Sequence, residues 1–573
     1  MDRGAALLLL LWILLLEAWF QGPLLGRWLG RRSALVLAAL VLGVVAARAA
    51  MALRRRRPDR RFIALVASVL ALATLVRWPA LKAPASLISS DSAVAGIIAQ
   101  ELRAAEWPPP IYAPGFPYEG TLKPHLTALL ALLFPGAGTA PLYAVASHLF
   151  YLVWTAAVMA LARDAGGDVA AAVAGAFMAV SPRFLTAFSL NNVGQYPDVC
   201  ALGTLALALL SAGSPLAWPM FLAGLAVWQQ LVGLYFLLTL VVAALLTPAL
   251  RTPRSLATGT AGFLAGSYPM WIWNATHGWA TFDFLRRGGR HPADRVSGLP
   301  ERLAATVGTS FPKMFGLTDA GLPAALGAVL GLLLPALVLW LVWAKRDEIR
   351  RRRGRSAALL AGLLLLVSVG TFALSKFSHR GAQRPRYLLP VYASVAVAGG
   401  AAAAAAARRS LLAAVVPVAA VLAVNAIGLR PWLLGRAPAE AHDRAIVDAL
   451  VRLGVRTGYG GFWVAPKYTF LGDGRFVLSA ELGPDVSWVH AGHAALVRTM
   501  GPDAYVVDDP ALAAAFAARL DAMHVRYDRT DVDNTAIFHH FARRVALEDV
   551  EGYERQATGP RTPPPAEEVT QEQ

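Results

Sequence analysis

The stretch "LISSDSAVAGIIAQELRAAEWPPPIYAPGFPYEGTLKPHL" (Leu87–Leu126) follows the third of a series of long apolar runs. It carries one early acid, Asp91, and continues into a segment rich in proline, aromatic and polar residues. Runs of about 18 or more apolar residues indicate membrane-spanning helices, because only a helix satisfies its own backbone polar groups inside lipid. The stretch therefore predicts a polar loop at a membrane surface, and its chemistry depends on which side it occupies.

The composition favours a polytopic membrane protein that is mainly α-helical. Of the 573 residues, 57% are hydrophobic and 16% are charged, whereas soluble domains carry about 25% charged residues. The apolar runs predict about eleven spanning helices, or up to thirteen if residues 5–20 and 34–53 add a hairpin. A cleaved signal peptide is the alternative for residues 1–20. The predicted spans lie near 62–77, 141–162, 168–188, 198–213, 216–230, 231–248, 255–275, 322–344, 356–374, 387–407 and 411–429.

The net charge of +17 does not indicate nucleic-acid binding, because the basic residues form short clusters between apolar runs. Lysine and arginine that collect in alternate turns mark the cytoplasmic side of a membrane protein. The single cysteine, Cys200, excludes an intramolecular disulfide and a cysteine-based metal site. The clusters are Arg54–Arg61, Arg251–Arg254, Lys345–Arg355 and Arg408–Arg409.

Alternation of the spans places every one of these clusters on one side. The same alternation places residues 78–140, 189–197, 276–321 and 375–386, and everything after 430, on the far side of the membrane. Asp91 is therefore predicted to be extracytoplasmic.

Four segments are predicted. Residues 437–557 have charges throughout and mixed helix and strand periodicity, which indicates a small extracytoplasmic α/β domain. The proline-rich end is typical of a disordered tail. The segments are an N-terminal hydrophobic hairpin with a basic cytoplasmic part (1–61), a transmembrane catalytic domain (62–430) whose outer loop is 78–140, the α/β domain (437–557) and the tail (558–573).

Asp91 begins a predicted helix. Val94, Ile97, Ile98 and Leu102 follow at helical spacing, which predicts an amphipathic helix on the membrane surface. An aspartate at a helix start also caps backbone N–H groups, so capping is the structural alternative to a chemical role.

Other polar groups collect in the segments predicted to lie outside. Lys123 can hold a phosphate as a point charge, or its amine can extend to the membrane interface. Arginines on this side are not explained by topology and favour an anionic ligand, with anionic lipid headgroups as the alternative. The candidate ligand-binding residues are Tyr118, Glu119, Lys123, His125, Gln195, Tyr196, Asn274, His277, Arg380, Arg384, Arg386 and Tyr387, and Asp198 is a second acid.

The order of these motifs resembles that of bacterial GT-C fold glycosyltransferases. "SDSAVAGIIAQELRAAEWPPPIYAPGFPYEG" is similar to their first outer loop, and "LKPHL" to the Lys-Pro-Pro-Leu element of the protein mannosyltransferase and lipid A aminoarabinose transferase branch. Later segments of the family resemble "GFLAGSYPMWIWNATHGWATFDFL", "RPRYLLPVY" and "GVRTGYGGFWVAPKYTFL". The resemblance extends from about residue 62 to 510.

The resemblance implies an inverting hexosyl- or pentosyltransferase. A sugar would move from a polyprenyl-phosphate carrier to an extracytoplasmic lipid, cell-envelope glycan or protein. Asp91 matches the family's catalytic acid and would be the general base, and Lys123, Arg384 and Arg386 would bind the donor phosphate.

Two positions depart from the family pattern: His125 replaces a proline, and Ser92 replaces the second acid of an Asp-Glu pair. The second departure leaves Asp198 as the candidate assisting acid. No Asp-x-Asp motif occurs in the first loop, so no metal or other cofactor is expected, although a divalent ion is not excluded.

Two other classes of function remain as alternatives. A lipid-linked glycan transporter or flippase would carry charged residues within its spans and internal repeats. A catalytically inactive membrane scaffold would act through its C-terminal domain.

Overall fold

The computed structural model describes residues 3–26, 28, 30–34, 36, 37, 40, 59–191, 193–287, 298–319, 321–375, 385–483 and 489–553. Helices make up most of this part of the chain, and one small sheet lies near its C-terminal end. The helices before the sheet are α1 (Arg3–Trp19), α2 (Arg60–Leu81), α3 (Ser90–Arg103), α4 (Leu122–Leu133), α5 (Thr139–Gly166), α6 (Asp168–Ala179), α7 (Arg183–Asn191), α8 (Tyr196–Ser211), α9 (Ala217–Gln229), α10 (Gly233–Leu245), α11 (Pro253–Gly266), α12 (Tyr268–Thr276), α13 (Ala280–Arg287), α14 (Leu299–Ala305), α15 (Phe311–Met314), α16 (Ala324–Ala344), α17 (Arg346–Arg352), α18 (Ala357–Leu374), α19 (Val391–Ala407), α20 (Leu411–Leu434) and α21 (Arg436–Arg452).

Five helices are long and apolar enough to cross a membrane, by length and composition. They are α2, α5, α16, α18 and the continuous α20–α21 helix, Leu411–Arg452. A sixth candidate is the bent pair α6 and α7, whose axes differ by 74°. The remaining predicted spans fall on helices of 13 to 17 residues, namely α8, α9, α10 and α19, and on the α11–α12 pair.

The break between α6 and α7 falls inside one predicted span, 168–188. Pro182 lies in the break, where it cannot donate a backbone hydrogen bond. The guanidinium of Arg77, on α2, is fully buried there. It donates to the carbonyl of Ala179 at 2.9 Å and to the hydroxyls of Ser181 and Ser189 at 2.8 Å each. Arg77 thus satisfies the polar groups that the break exposes, and it fixes the angle at which α7 leaves α6.

The helix that carries Asp91, α3, is enclosed by protein. Val94, Ile97 and Ile98 are each 3% exposed or less. They belong to an apolar cluster that includes Tyr143 of α5 and Phe470 of the C-terminal region. The amphipathic pattern thus correctly predicts a helix with an apolar face. The predicted position of this helix on the membrane surface is wrong, because the apolar face packs against other parts of the chain.

The C-terminal region forms a five-stranded mixed sheet with the strand order β2-β1-β3-β5-β4. Strand β1 is parallel to β2 and β3, whereas β5 is antiparallel to β3 and β4. Helices cover the sheet, as the alternating periodicity predicted. The elements are β1 (Thr457–Gly460), α22 (Ala465–Gly472), β2 (Val477–Ser479), α23 (Ala491–Met500), β3 (Ala504–Val507), α24 (Pro510–Ala522), β4 (Asp528–Val532), β5 (Thr535–His539) and α25 (Leu547–Val550).

The C-terminal region is fixed to the membrane part in two ways. The α20–α21 helix has 42 residues and, at 1.5 Å per residue, is about 63 Å long. In addition, the amide of Gln100 on α3 donates to the Phe470 carbonyl at 2.8 Å and to Asp473 at 2.9 Å. The carboxylate of Glu101 contacts His490 at 2.8 Å. These contacts therefore hold α3, the helix whose first turn contains Asp91, against the sheet domain.

Candidate active site

Asp91 lies in the first turn of α3 but does not cap it. The N-cap is Ser89, whose hydroxyl accepts from the backbone N–H of Ser92 at 3.3 Å. The Ser92 hydroxyl in turn accepts from the backbone N–H of Ser89 at 2.9 Å, which completes a capping box. Ser92, which stands where the family has a second acid, is thereby a structural residue. Capping does not account for Asp91.

The loop that carries Glu119 and Lys123 is held by the end of α9. The backbone N–H of Gly120 donates to the Gln229 carbonyl at 3.0 Å, and that of Leu122 donates to the Gln229 side chain at 3.1 Å. A Cβ at Gly120 would lie 2.5 Å from the Gln229 amide, so only glycine permits this approach. The loop is therefore positioned by a residue far away in sequence.

Glu119 lies within the electrostatic reach of three charged groups. Burial raises its pKa to about 7, and the Asp91 carboxylate adds to the increase, whereas Arg386 and Lys123 oppose it. Glu119 is thus close enough to Asp91 for their charges to interact. Asp198 remains the predicted assisting acid.

Lys123 is fully buried at the start of α4, in the loop region between spans. Burial lowers the pKa of its amine to about 7, while the charges of Asp198 and Glu119 act in the opposite direction. Its Nζ lies 4.2 Å from the centroid of the Tyr143 ring. The interior thus contains a cation that Asp198, Glu119 and an aromatic face stabilise.

Arg386 and a group of tyrosines border the acids on another side. Arg386 lies on a short 3-10 helix, Pro385–Leu388, and its charge acts on Tyr118, Glu119 and Tyr196. The rings of Tyr196 and Tyr387 are 5.8 Å apart. The Nε atom of Arg386 is buried and has no hydrogen-bond partner among the described residues.

A left-handed turn carries Tyr196 and Asp198 to this position. Gly194 and Gln195 have φ of 70° and 61°, and α8 begins directly after them. A left-handed backbone is unusual for a residue other than glycine and occurs often at functional sites. Gln195 itself is 1% exposed.

Three predicted ligand-binding residues have structural contacts instead. His125 points to α1, where its Nε2 accepts from the Trp19 indole at 2.8 Å, and burial lowers its pKa to about 4. Asn274 donates to Thr281 at 3.0 Å, and Thr281 donates to the Pro117 carbonyl at 2.6 Å. Asn274 thus supports the loop that carries Tyr118 through its hydrogen bond to Thr281.

The exposed ring of His277 is stacked on Trp273 with centroids 4.4 Å apart. Two further predicted residues, Arg380 and Arg384, lie outside the described residues.

A cavity of about 390 Å³ lies beside the segment that precedes Asp91. Segment 86–90 forms one wall, and the C-terminal region supplies Trp463, Lys467 and Asp508. Ser90 and Asn191 are among the lining residues. The Ser90 hydroxyl and the Asn191 side-chain oxygen are buried and have no hydrogen-bond partner among the described residues. Hydrogen-bonding groups and an indole face at one wall are what a polyhydroxylated ligand requires.

Comparison with known proteins identifies the fold. No protein-family model matches this chain, and no curated protein matches it in sequence. Among solved structures, the chain is similar to ArnT from Cupriavidus metallidurans bound to undecaprenyl phosphate, with a TM-score of 0.54 and 15% identity over 87% of this chain and 99% of that chain. The apo state of this ArnT gives a TM-score of 0.53 and 17% identity, covering 83% of this chain and 97% of that chain. The predicted GT-C fold is confirmed: the chain is a multi-pass, mainly helical membrane protein with a small C-terminal α/β domain.

Proposed function

We propose that this chain is an inverting glycosyltransferase that transfers a sugar from a polyprenyl-phosphate carrier to an acceptor hydroxyl outside the cytoplasm. The fold it shares with ArnT, which was crystallised with undecaprenyl phosphate, supports a carrier of this type. In this proposal the chain lies in a bacterial inner membrane with its C-terminal domain in the periplasm. The basic clusters on the opposite side of the spans support this orientation.

One observation carries the proposal: the charges of Lys123, Arg386 and Asp91 all act on Glu119. The Arg386 guanidinium has a buried Nε without a partner among the described residues, and Lys123 has no exposed surface. Buried polar groups are normally hydrogen-bonded, so an unpaired guanidinium nitrogen indicates a ligand that accepts from it. A phosphate is the ligand that both cations favour.

The acids have different roles in this proposal. Asp91 takes the proton of the acceptor hydroxyl as its oxygen attacks the anomeric carbon of the sugar. The bond between that carbon and the phosphate oxygen breaks, and the carrier phosphate leaves with the bonding electron pair. Lys123 and Arg386 stabilise the charge that develops on it. Asp198 keeps Lys123 charged and in position, and Glu119 modulates the charge of Asp91.

The cavity beside Ser90 is proposed to receive the acceptor. Ser90 is the neighbour of Asp91. Its hydroxyl can donate or accept a hydrogen bond and the Asn191 amide oxygen can accept one, and the described residues use neither atom. A lipid, a cell-envelope glycan or a protein would each present its hydroxyl there. The donor sugar is a hexose or a pentose.

Release of polyprenyl phosphate from a polyprenyl-phosphate hexose or pentose tests the proposal. The purified chain should release it only when an acceptor is present, and Arg386→Ala should weaken carrier binding at least tenfold, about 1.4 kcal/mol. The control is Arg409→Ala, which removes an exposed arginine on the opposite side. Arg386→Lys keeps the charge but loses the planar fork, so intermediate binding is expected.

The same reaction distinguishes the two alternatives. In sealed vesicles, a transporter would move the labelled lipid between leaflets and release no polyprenyl phosphate. An inactive scaffold would do neither. Transfer without acceptor dependence, or equal binding by Arg386→Ala and the control, would refute the assignment.

A further inference from the structure

A second group of chemically active side chains lies at the open end of the β4–β5 hairpin. Asp528 on β4 is directly opposite His539 on β5, and His540 follows. A carboxylate oxygen of Asp528 and a nitrogen of each imidazole all lie within 4.8 Å of one another. Two imidazoles and a carboxylate are a common ligand set for zinc. The transferase site does not use any of the three.

The backbone at His540 is unusual. Consecutive side chains of a strand point to opposite faces of the sheet. Even so, the rings of His539 and His540 have centroids only 4.6 Å apart. His540 has φ of 50°, in the left-handed region that residues other than glycine seldom adopt. The turn at His540 brings the two imidazoles together.

The two ring nitrogens of His539 have the surroundings that are typical of a metal-binding histidine. The residue is 5% exposed, and its Nε2 lies 2.9 Å from the Thr530 hydroxyl. Its Nδ1 is buried and has no hydrogen-bond partner among the described residues. Imidazole ligands of metals typically use one nitrogen for the metal and hydrogen-bond through the other. The Asp528–His540 ion pair, at 3.1 Å, leaves this Nδ1 unexplained.

We propose that Asp528, His539 and His540 bind a zinc ion, with water as the fourth ligand. Bonds of about 2.0–2.1 Å at tetrahedral angles put neighbouring ligand atoms about 3.4 Å apart. The Asp528 and His540 atoms, 3.1 Å apart, are already near this spacing, and a nitrogen of His539 lies within 4.8 Å of both. The ion would tie the edge strand β4 to β5, and the turn of the same hairpin contributes Asn534 and Thr535 to the acceptor cavity.

The test is calorimetric titration of the full-length chain with zinc chloride after treatment with a chelator, using a purification tag without histidine. We expect one zinc ion per chain. His540→Gly removes one ligand but accepts the left-handed backbone, so the variant is expected to fold and to lose zinc binding at least tenfold. The matched control is His524→Ala, because His524 is exposed in the same domain and has the same left-handed backbone, with φ of 51°.

A thermal melt gives a second readout. Zinc should raise the melting temperature of the wild type and of His524→Ala but not that of His540→Gly. Asp528→Asn should bind zinc more weakly than the wild type. The proposal is overturned if the wild type binds no zinc, or if His540→Gly binds it as tightly as the control.

Discussion

Exchange of Asp91 for asparagine tests whether Asp91 acts as the general base. The amide keeps the shape of the side chain and can still accept a hydrogen bond, but it is too weakly basic to take a proton. If Asp91 is the general base, turnover should fall by roughly a hundredfold or more, which is a barrier increase of about 2.7 kcal/mol or more. Stability should change little, because the loss of a charge near the helix N-terminus costs about 0.3–1 kcal/mol and the repulsion with Glu119 is relieved.

The capping box provides the matched control. Ser92→Ala removes the hydroxyl that accepts from the Ser89 backbone at 2.9 Å and leaves Asp91 in place. Loss of such a cap costs about 1 kcal/mol of stability. Ser92→Ala should therefore lower the melting temperature with turnover near that of the wild type. Asp91→Asn should do the reverse.

The assay is release of polyprenyl phosphate, measured beside a thermal melt of each variant and beside carrier binding. Asp91→Asn should bind the carrier as well as the wild type, since the phosphate contacts are assigned to Lys123 and Arg386. Wild-type turnover in a well-folded Asp91→Asn protein would refute the assignment of Asp91 as the base.

Three further results are expected. Carrier binding should weaken as the pH rises through about 7, because the Lys123 amine loses its proton and Glu119 gains charge there. The measurement is the carrier affinity across this pH range. Lys123→Arg stays charged, so the affinity of this variant should depend less on pH. Arg77→Leu should destabilise the chain by about 1–3 kcal/mol, because it removes the guanidinium that donates to the Ala179 carbonyl. Thermal unfolding beside Arg409→Leu measures this. A reporter that is active only in the cytoplasm should be silent when fused after Gln573, and a strong signal would reverse the proposed topology.

The sequence predicts the helices better than their breaks. Apolar runs report that a segment is buried or in lipid, and all eleven predicted spans fall on helices. The run 168–188 nevertheless contains a 74° bend, because hydropathy does not register Pro182 or the hydrogen bonds that Arg77 supplies from another helix. Composition averages over a window, whereas a break depends on partners far away in the chain.

The residues of the candidate site, too, can be predicted from the sequence only in part. Asp91 and Lys123 carry local signals, since a charge in an apolar chain is costly and calls for an explanation. His125 gave the same signal but belongs to the packing of α1, which no local pattern reveals. Gln229 is a residue whose role the sequence does not reveal. Its sequence context indicates only a polar turn, whereas in the fold its side chain holds the loop that carries Glu119. The contribution of each of these residues depends on a contact between distant segments.

Asp91 lies between two environments with different tasks. Toward Glu119, Arg386 and Lys123 the surroundings are buried and charged, which suits a lipid phosphate whose charge grows during the reaction. Toward Ser90 the wall opens into the cavity that the C-terminal domain completes. In the proposed reaction the acceptor would lie in that cavity, and the phosphate would lie at Lys123 and Arg386, which do not line it.

The C-terminal domain takes part in this arrangement. Its backbone at Phe470 holds Gln100 at 2.8 Å, and His490 holds Glu101 at the same distance, both on the helix that begins next to Asp91. A positioned base loses much of its effect when its geometry shifts by about 1 Å. In the proposed reaction the domain would therefore contribute to transfer by fixing the helix that carries Asp91.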